Sequence, residues 1–370
     1  MLDWIKQSIG HTLEDRFELS DEKCKAVTYL PMSHWSGQAR GATFLVFEDS
    51  AAQPLVIVKT AHEEKKREGL KQEARNLQRL AAGGNEKFAK SIPSVITIED
   101  SGEHTLLIES IVPGRLMKTL KPERVLGRKS APGALKGLTR WLEAFQAASG
   151  ATRPLDEEKL RAVALDPIDA FAGEFDPNDT VKRMIEKIRG SVSSWHDKPL
   201  SGMVSHGDFC PSNILLYGPD VGVIDFEESL EQDLPGYDLF HFLLACVVNF
   251  HPRSAASRAA RFEETFFETG PFAEAAARSL VDLARGRDMS GQDLLAVFGL
   301  LLMRFALEKI RFARERTGLE DRDDALKIAY KPGTGLFATV SIEKDRCLEI
   351  ETLARNWESL HFLWKMKREG

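Results

Sequence analysis

A chain of 370 residues, 43% of them hydrophobic, can bury a substantial core and is longer than one average domain usually holds, so two lobes are expected. A formal net charge of −6, with no long run of one sign, argues against nucleic acid or an anionic membrane surface as the main partner. Cys24, Cys210, Cys246 and Cys347 lie far apart, form no C-x-x-C pair and show no zinc spacing, which fits a reducing cytoplasm.

The first residues, MLDWIKQSIGHTLEDRFELS, lack the basic start and apolar core of a secretory signal, so no export is expected. Three strand-like segments follow, KAVTYL, ATFLVFED and PLVIVKT, each rich in β-branched or aromatic residues. From Glu63 to Ala82 the period changes: Leu70, Ala74, Leu77, Leu80 and Ala81 share one face, and Gly-Gly-Asn stops the helix. Two more strands, SVITIED and HTLLIESI, flank a Ser-Gly turn, which gives an antiparallel meander of three strands, a helix and two strands. Val112, Pro113 and Gly114 break the pattern, and the lobe boundary is placed there, with residues 1–111 before it and 112–370 after it.

Helical spacing dominates the rest, over Gly133–Ser149, Pro177–Arg189, Gly236–Phe250, Ser254–Glu268, Pro271–Arg285, Gly291–Thr317 and Ile342–Trp364. The most apolar run, Leu294 to Met303, is ten residues long before Arg304 interrupts it. A spanning helix needs roughly 20, so this run reads as a buried core helix. One island of strand character, Met203 to Glu227, reads strand, loop, strand, turn, strand: GMVSH, GDFCPSN, ILLYG, PDVG, VIDFEE. The fold class is therefore α+β, a sheet lobe carrying one helix followed by a larger, mainly helical lobe.

The island holds the chemistry. Asp208 lies on its loop, Asn213 closes the loop, and Asp225 ends the next hydrophobic strand. A hairpin would set Asn213 beside Asp225 and offer the oxygen ligands that a hard cation such as Mg2+ prefers. Asp208 would then face an acceptor hydroxyl, to orient it and take its proton. Phosphoryl transfer needs these parts and, in addition, a cation on the donor phosphates. Lys59 ends the strand LVIVK, and Glu73, fourteen residues later on the helix, is placed to pair with it. Glu64 and Glu68 compete for that role. An acidic group, Glu227, Glu228, Glu231 and Asp233, follows the metal strand; it suits a cationic acceptor and equally suits a solvated loop. His206 is read as structural, and Cys210 as a packing thiol.

The motifs HGDFCPSN (His206 to Asn213) and VIDFEE, with IVK at Lys59 and ESIVPG at Glu109 to Gly114, resemble the aminoglycoside phosphotransferase and choline kinase group of small-molecule kinases. That group has the two-lobed protein-kinase-like fold, and the resemblance runs over about Lys25 to Phe250. It implies Asp208 as catalytic base, Asn213 and Asp225 as magnesium ligands, Lys59 on the α- and β-phosphates, and Glu73 as its ion-pair partner. It also implies that Glu109, Ser110 and Ile111 meet the adenine through their backbone, that Ser36 and Gly37 lie on the nucleotide loop, and that Asp238 braces the catalytic loop. The implied donor is ATP, with GTP left open. The implied partner is a small molecule bearing a hydroxyl, bound by a monomer or homodimer.

Two departures inform the choice of acceptor. SHWSGQARG does not satisfy G-x-G-x-x-G, and Glu227 stands where protein kinases have Gly after the metal aspartate and its Phe. An Ala-Pro-Glu element and a long activation segment are missing between Asp225 and Asp238, which disfavours a protein substrate. The alternative function is a catalytically silent, nucleotide-binding regulatory module. Such a module usually loses Asp208, Asn213 or Asp225, and this chain keeps all three.

Overall fold

A computed structural model describes residues 2–32, 41–49, 51–84, 86–125, 127, 130–150, 153–197, 200–249, 255–324, 342–343 and 346–356. In chain order the first elements are α1 (Leu2–Phe17), α2 (Asp21–Ala26), β1 (Thr28–Met32), β2 (Gly41–Phe47), β3 (Val56–Ala61), α3 (Glu64–Gly83), α4 (Glu86–Ala89), β4 (Val95–Asp100), β5 (Thr105–Ser110) and β6 (Arg115–Leu116). Next come α5 (Pro122–Val125), α6 (Ala131–Ala148), β7 (Arg153–Pro154), α7 (Glu157–Leu160), α8 (Asp166–Glu174) and α9 (Asp179–Ser194). They are followed by β8 (Ser201–Ser205), β9 (Ile214–Tyr217), β10 (Asp220–Val223) and β11 (Leu230–Asp233). The chain continues through α10 (Tyr237–Asn249), α11 (Ala255–Phe266), α12 (Pro271–Gly286), α13 (Gly291–Thr317), the small strands β12 (Ile342–Glu343) and β13 (Arg346–Cys347), and α14 (Leu348–Arg355).

These elements form two compact units. The first comprises Met1–Arg115, Glu143–Gly150 and Asn213–Ser229; the second comprises Leu116–Leu142, Ala151–Ser212 and Leu230–Gly370.

In the first unit the sheet runs β1-β2-β3-β5-β4, all antiparallel. Strand alternation splits its residues between two faces. Val56 and Val58 on β3 join Leu106 and Ile108 on β5 in a core with Val46 and with Ile5, Ile9 and Leu13 of α1. Ala61 and Leu107 belong to the other face, where Leu70 and Ala74 of α3 cover them. Lys59 and Glu109 have the parity of this second face, which places them under α3. The sequence reading did not anticipate α1, although Ile5, Ile9 and Leu13 recur at the spacing of one helix face.

The second unit is mainly helical. Its longest helix, α13, carries a capping box in which Ser290 and Asp293 satisfy each other's backbone N–H groups, and it ends on Gly318 at φ 70°. Leu294 to Leu302 of this helix are fully buried. It packs against α8, α9, α10 and α14.

Two expected elements differ. The hairpin turn falls at Gly218 (φ 58°) and Pro219, so β10 is Asp220–Val223 and ends before Asp225, instead of running through VIDFEE. Gly218 supplies the left-handed turn position, which lets Val221 and Val223 pair with Leu216 and Ile214. The helix expected over Ile342–Trp364 instead opens with the β12–β13 pairing and becomes helical at Leu348–Arg355. Ile342, which read as a helix start, pairs across to Cys347.

Candidate active site

Each unit contributes its own cluster. In the first, Lys59 Nζ donates to Glu73 Oε1 at 2.6 Å and lies 3.2 Å from Glu109 Oε2. Lys59 is paired with Leu107 in the β3–β5 ladder, so Glu109 is its diagonal neighbour on the same face, within reach of a long side chain. Both glutamates are 1% exposed. The expected Lys59–Glu73 pair is therefore present, and the sequence reading missed that the Glu109 side chain joins it.

Charge in this cluster is unbalanced. Burial alone would push the Lys59 ammonium down, but Glu109, Glu73 and Asp225 hold it above the usual lysine range. Burial pushes the Glu73 carboxyl up to about 8, Glu109 adds to the rise, and Lys59 opposes it. Burial likewise raises Glu109. Its second oxygen, Oε1, is buried without a hydrogen-bond partner.

The same helix fixes the segment after Asp225. Phe226 N–H donates to Glu73 Oε1 at 3.0 Å, and Asn76 Nδ2 donates to the carbonyls of Phe226 (2.9 Å) and Ser229 (3.3 Å). Phe226 is fully buried against Phe145. Asp225 itself has φ 73°, a left-handed conformation that persists where surrounding contacts over-determine it. Sequence reasoning missed Asn76, although it lies three residues after Glu73 on the same helix face.

Ile224 N–H donates to Asn213 O at 3.0 Å, next to the β9–β10 ladder, so the two expected metal ligands come from adjoining strand ends. An amide oxygen and a carboxylate are the hard donors that Mg2+ takes when nucleotide phosphates and water complete its shell. The excess of buried acids over the single ammonium of Lys59 also suits an added cation. No cluster of three or more His, Cys, Asp or Glu able to hold a metal occurs among the described residues.

Glu227 accepts Lys66 Nζ at 3.1 Å, and Glu228 is exposed. Ser110 N–H donates to Ser94 O and its Oγ accepts from Ser94 N–H, both at 2.9 Å; Ile111 follows, half-buried, after the end of β5. Ser36 and Gly37 lie outside the described residues.

In the second unit Asp208 follows β8 on a loop and is 45% exposed through its side chain. Asp238, at the start of α10, accepts the N–H groups of His206 (2.8 Å) and Gly207 (3.2 Å), which is the expected bracing. Burial pushes the Asp238 carboxyl up to about 7 against those two donors. His206 Nδ1 accepts from Asp208 N–H at 3.3 Å. Cys210 is buried, and burial with Asp208 nearby raises its thiol, so it is inert packing.

The acidic group is not one surface. Glu231 is exposed, but Asp233 is fully buried and accepts two bonds from Arg304, at 2.7 and 3.2 Å, plus one from Ser205 Oγ at 3.1 Å. Asp233 is thereby removed from the residues that suit a cationic acceptor, because a carboxylate committed to a buried guanidinium has no free charge to offer.

Among the described residues no helix is long and apolar enough to cross a membrane. The model of the phosphotransferase enzyme family matches residues 35–278. No curated protein matches the chain. Among solved structures, the chain is similar to the apoenzyme of a macrolide 2'-phosphotransferase, MphH, from Brachybacterium faecium: 14% identity, 83% of this chain and 93% of that one covered, TM-score 0.49. It is similar to a thermostable mutant of an aminoglycoside phosphotransferase, APH(4)-Ia, in ternary complex with ADP and hygromycin B: 14% identity, 86% and 95% covered, TM-score 0.48. It is also similar to a choline/ethanolamine kinase family protein from Mesorhizobium loti: 13% identity, 89% and 92% covered, TM-score 0.46.

Proposed function

We infer the reaction from membership: the chain belongs to the phosphotransferase enzyme family and is a small-molecule kinase of protein-kinase-like fold. The specific reading is transfer of the γ-phosphate of ATP to a hydroxyl of an aminoglycoside, amino alcohol, sugar or related metabolite in the cytoplasm. The observation that carries it is the buried hydrogen bond from Lys59 Nζ to Glu73 at 2.6 Å, which holds an ammonium in place on a rigid strand. An ammonium so fixed neutralises donor phosphates without reorganising, which is the main thing that phosphoryl transfer asks of a protein.

Each residue has a role in this reading. Lys59 binds the α- and β-phosphates and Glu73 orients it. Asn213 and Asp225 hold Mg2+, which when bound would neutralise charge developing on the phosphates. Asp208 orients the acceptor hydroxyl and takes its proton. The backbone of Glu109 to Ile111 and the turn at Ser36 and Gly37 contact the nucleotide. Glu227, Glu228 and Glu231 favour a cationic acceptor. The nucleotide lobe is residues 1–111 and the acceptor lobe is 112–370.

The test is ADP release from MgATP over a panel of aminoglycosides, amino alcohols and sugars, in the wild type and in Asp208→Asn. The expected result is acceptor-dependent turnover that falls by about 10²-fold or more in the variant. Nucleotide binding with no turnover on any acceptor would favour the silent module instead.

A further inference from the structure

His241 is 6% exposed on α10 and is held from several sides. Its ring meets Phe305 of α13 edge to face at 4.6 Å, and Tyr237 lies one helical turn before it at 6.2 Å. The charged and titratable groups that bear on it among the described residues are Asp208 and His206 from the loop, Tyr237 on its own helix, and Arg304 from α13. Its two nitrogens face different partners. Nδ1 lies 3.0 Å from the Gly207 carbonyl, and Nε2 lies 3.5 Å from Asp208 Oδ1.

Chemistry assigns the protons. A carbonyl only accepts, so the Nδ1 contact is a hydrogen bond only if Nδ1 carries the hydrogen. Burial, with Arg304 adding like charge, pushes the ring down to about 3, so it is neutral at physiological pH and Nε2 is bare. A bare nitrogen facing an ionised carboxylate makes no hydrogen bond, which agrees with a separation of 3.5 Å. Once Asp208 carries a proton the pair becomes complementary, because its O–H has an acceptor in place.

We propose that His241 is a positioning residue for Asp208: its Nδ1–H fixes the ring on Gly207, and its bare Nε2 receives a hydrogen bond from Asp208 once Asp208 has taken the acceptor's proton. The proposal rests on the reading of Asp208 as base. In the step, the acceptor O–H bond breaks and its proton goes to Asp208. The oxygen's electron pair forms the new bond to the γ-phosphorus, and the bond from that phosphorus to its bridging oxygen breaks, its pair leaving on the nucleoside diphosphate. His241 gains and loses no proton; it stabilises the protonated form of the base, which grows toward the transition state.

The direct test is a long-range proton–nitrogen NMR correlation on protein labelled with 15N-histidine, at pH 7 and pH 5, with His241 assigned by its loss in His241→Asn. The expected signature is a hydrogen on Nδ1 and a bare Nε2 at both values. A hydrogen on Nε2, or a doubly protonated ring at pH 7, would overturn the proposal, since His241 would then donate to Asp208 and hold it ionised.

The functional test measures MgATP turnover with water as acceptor, read as ADP release. His241→Asn keeps a polar atom near the Nδ1 position and His241→Gln keeps one near the Nε2 position. The expected order is wild type, then Gln, then Asn, with Asn down about 3- to 10-fold in kcat, the worth of one hydrogen bond, and KM for ATP little changed. Asn equal to wild type, or Asn above Gln, would contradict it. Asp208→Asn separates the two readings. If that variant turns over normally, the base assignment itself fails; if it is inactive while His241→Asn is unimpaired, only the role of His241 fails.

Discussion

Replacing Glu109 by Gln removes one buried negative charge beside Lys59 and keeps the side chain's shape. Glu73 titrates at about 8 in the folded protein against 4.5 in an unfolded chain, and Glu109 is the largest neighbouring charge that raises it. Between those values the folded state keeps a proton that the unfolded state has released, so a raised carboxyl makes stability fall as pH rises through this window. At pH 7 the cost is on the order of 3–4 kcal/mol, since each pH unit between 4.5 and 7 is worth about 1.4 kcal/mol. Relieving Glu73 of its neighbour should recover about 1–2 kcal/mol of this at pH 7, or about 1–3 °C in the melting midpoint. Toward low pH, as the carboxyls take up protons, the effect of the substitution should shrink. Asp238, raised to about 7, tilts both proteins the same way. His241, lowered to about 3, adds stability in both as pH rises toward 6.5. Both effects cancel in the difference. Thermal unfolding of the two proteins from pH 5 to pH 8 is the assay, and parallel curves would refute the argument.

Two further substitutions probe the frame of the site. Arg304→Met leaves the Asp233 carboxylate buried without its cation and removes the guanidinium stacked 4.2 Å over Tyr237. Urea unfolding should show a loss of about 3–5 kcal/mol, and a loss below about 1 kcal/mol would mean that the pair is not desolvated. Gly114 has φ 131°, and an added Cβ would lie 3.1 Å from Leu215 Cβ and from the Leu216 carbonyl. Gly114→Ala should therefore cost about 1–3 kcal/mol by the same measurement, and unchanged stability would show that the turn relaxes freely.

What was legible in the sequence followed from periodicity. Lys59 on a strand, two residues before its end, and Glu73 on the next helix are fixed by two local patterns, and their pairing follows once the helix covers the sheet. The place of the Glu109 side chain beside Lys59 escaped because its face depends on the β3–β5 register, and a slip of one residue would have turned it away. The shift of Asp225 off its strand has a different cause. Pro219 and Asp220 read as turn residues, whereas the turn formed one step earlier on the left-handed Gly218. Asp233 looked like part of a local acidic run because its partner, Arg304, lies 71 positions downstream on α13. His241 was hidden in the same way: inside an apolar helix nothing local marks a histidine whose partners come from a loop 34 residues earlier.

The central claim is a magnesium-dependent nucleotide site built on Asn213 and Asp225 with Lys59. It is tested most directly by calorimetric titration of ATP into the protein, with and without Mg2+, for the wild type and Asp225→Asn. The account predicts binding that depends on Mg2+ and that the substitution weakens while the protein stays folded. Folded wild-type protein that binds no ATP, or binds it equally with and without the metal and the Asp225 carboxylate, would contradict it.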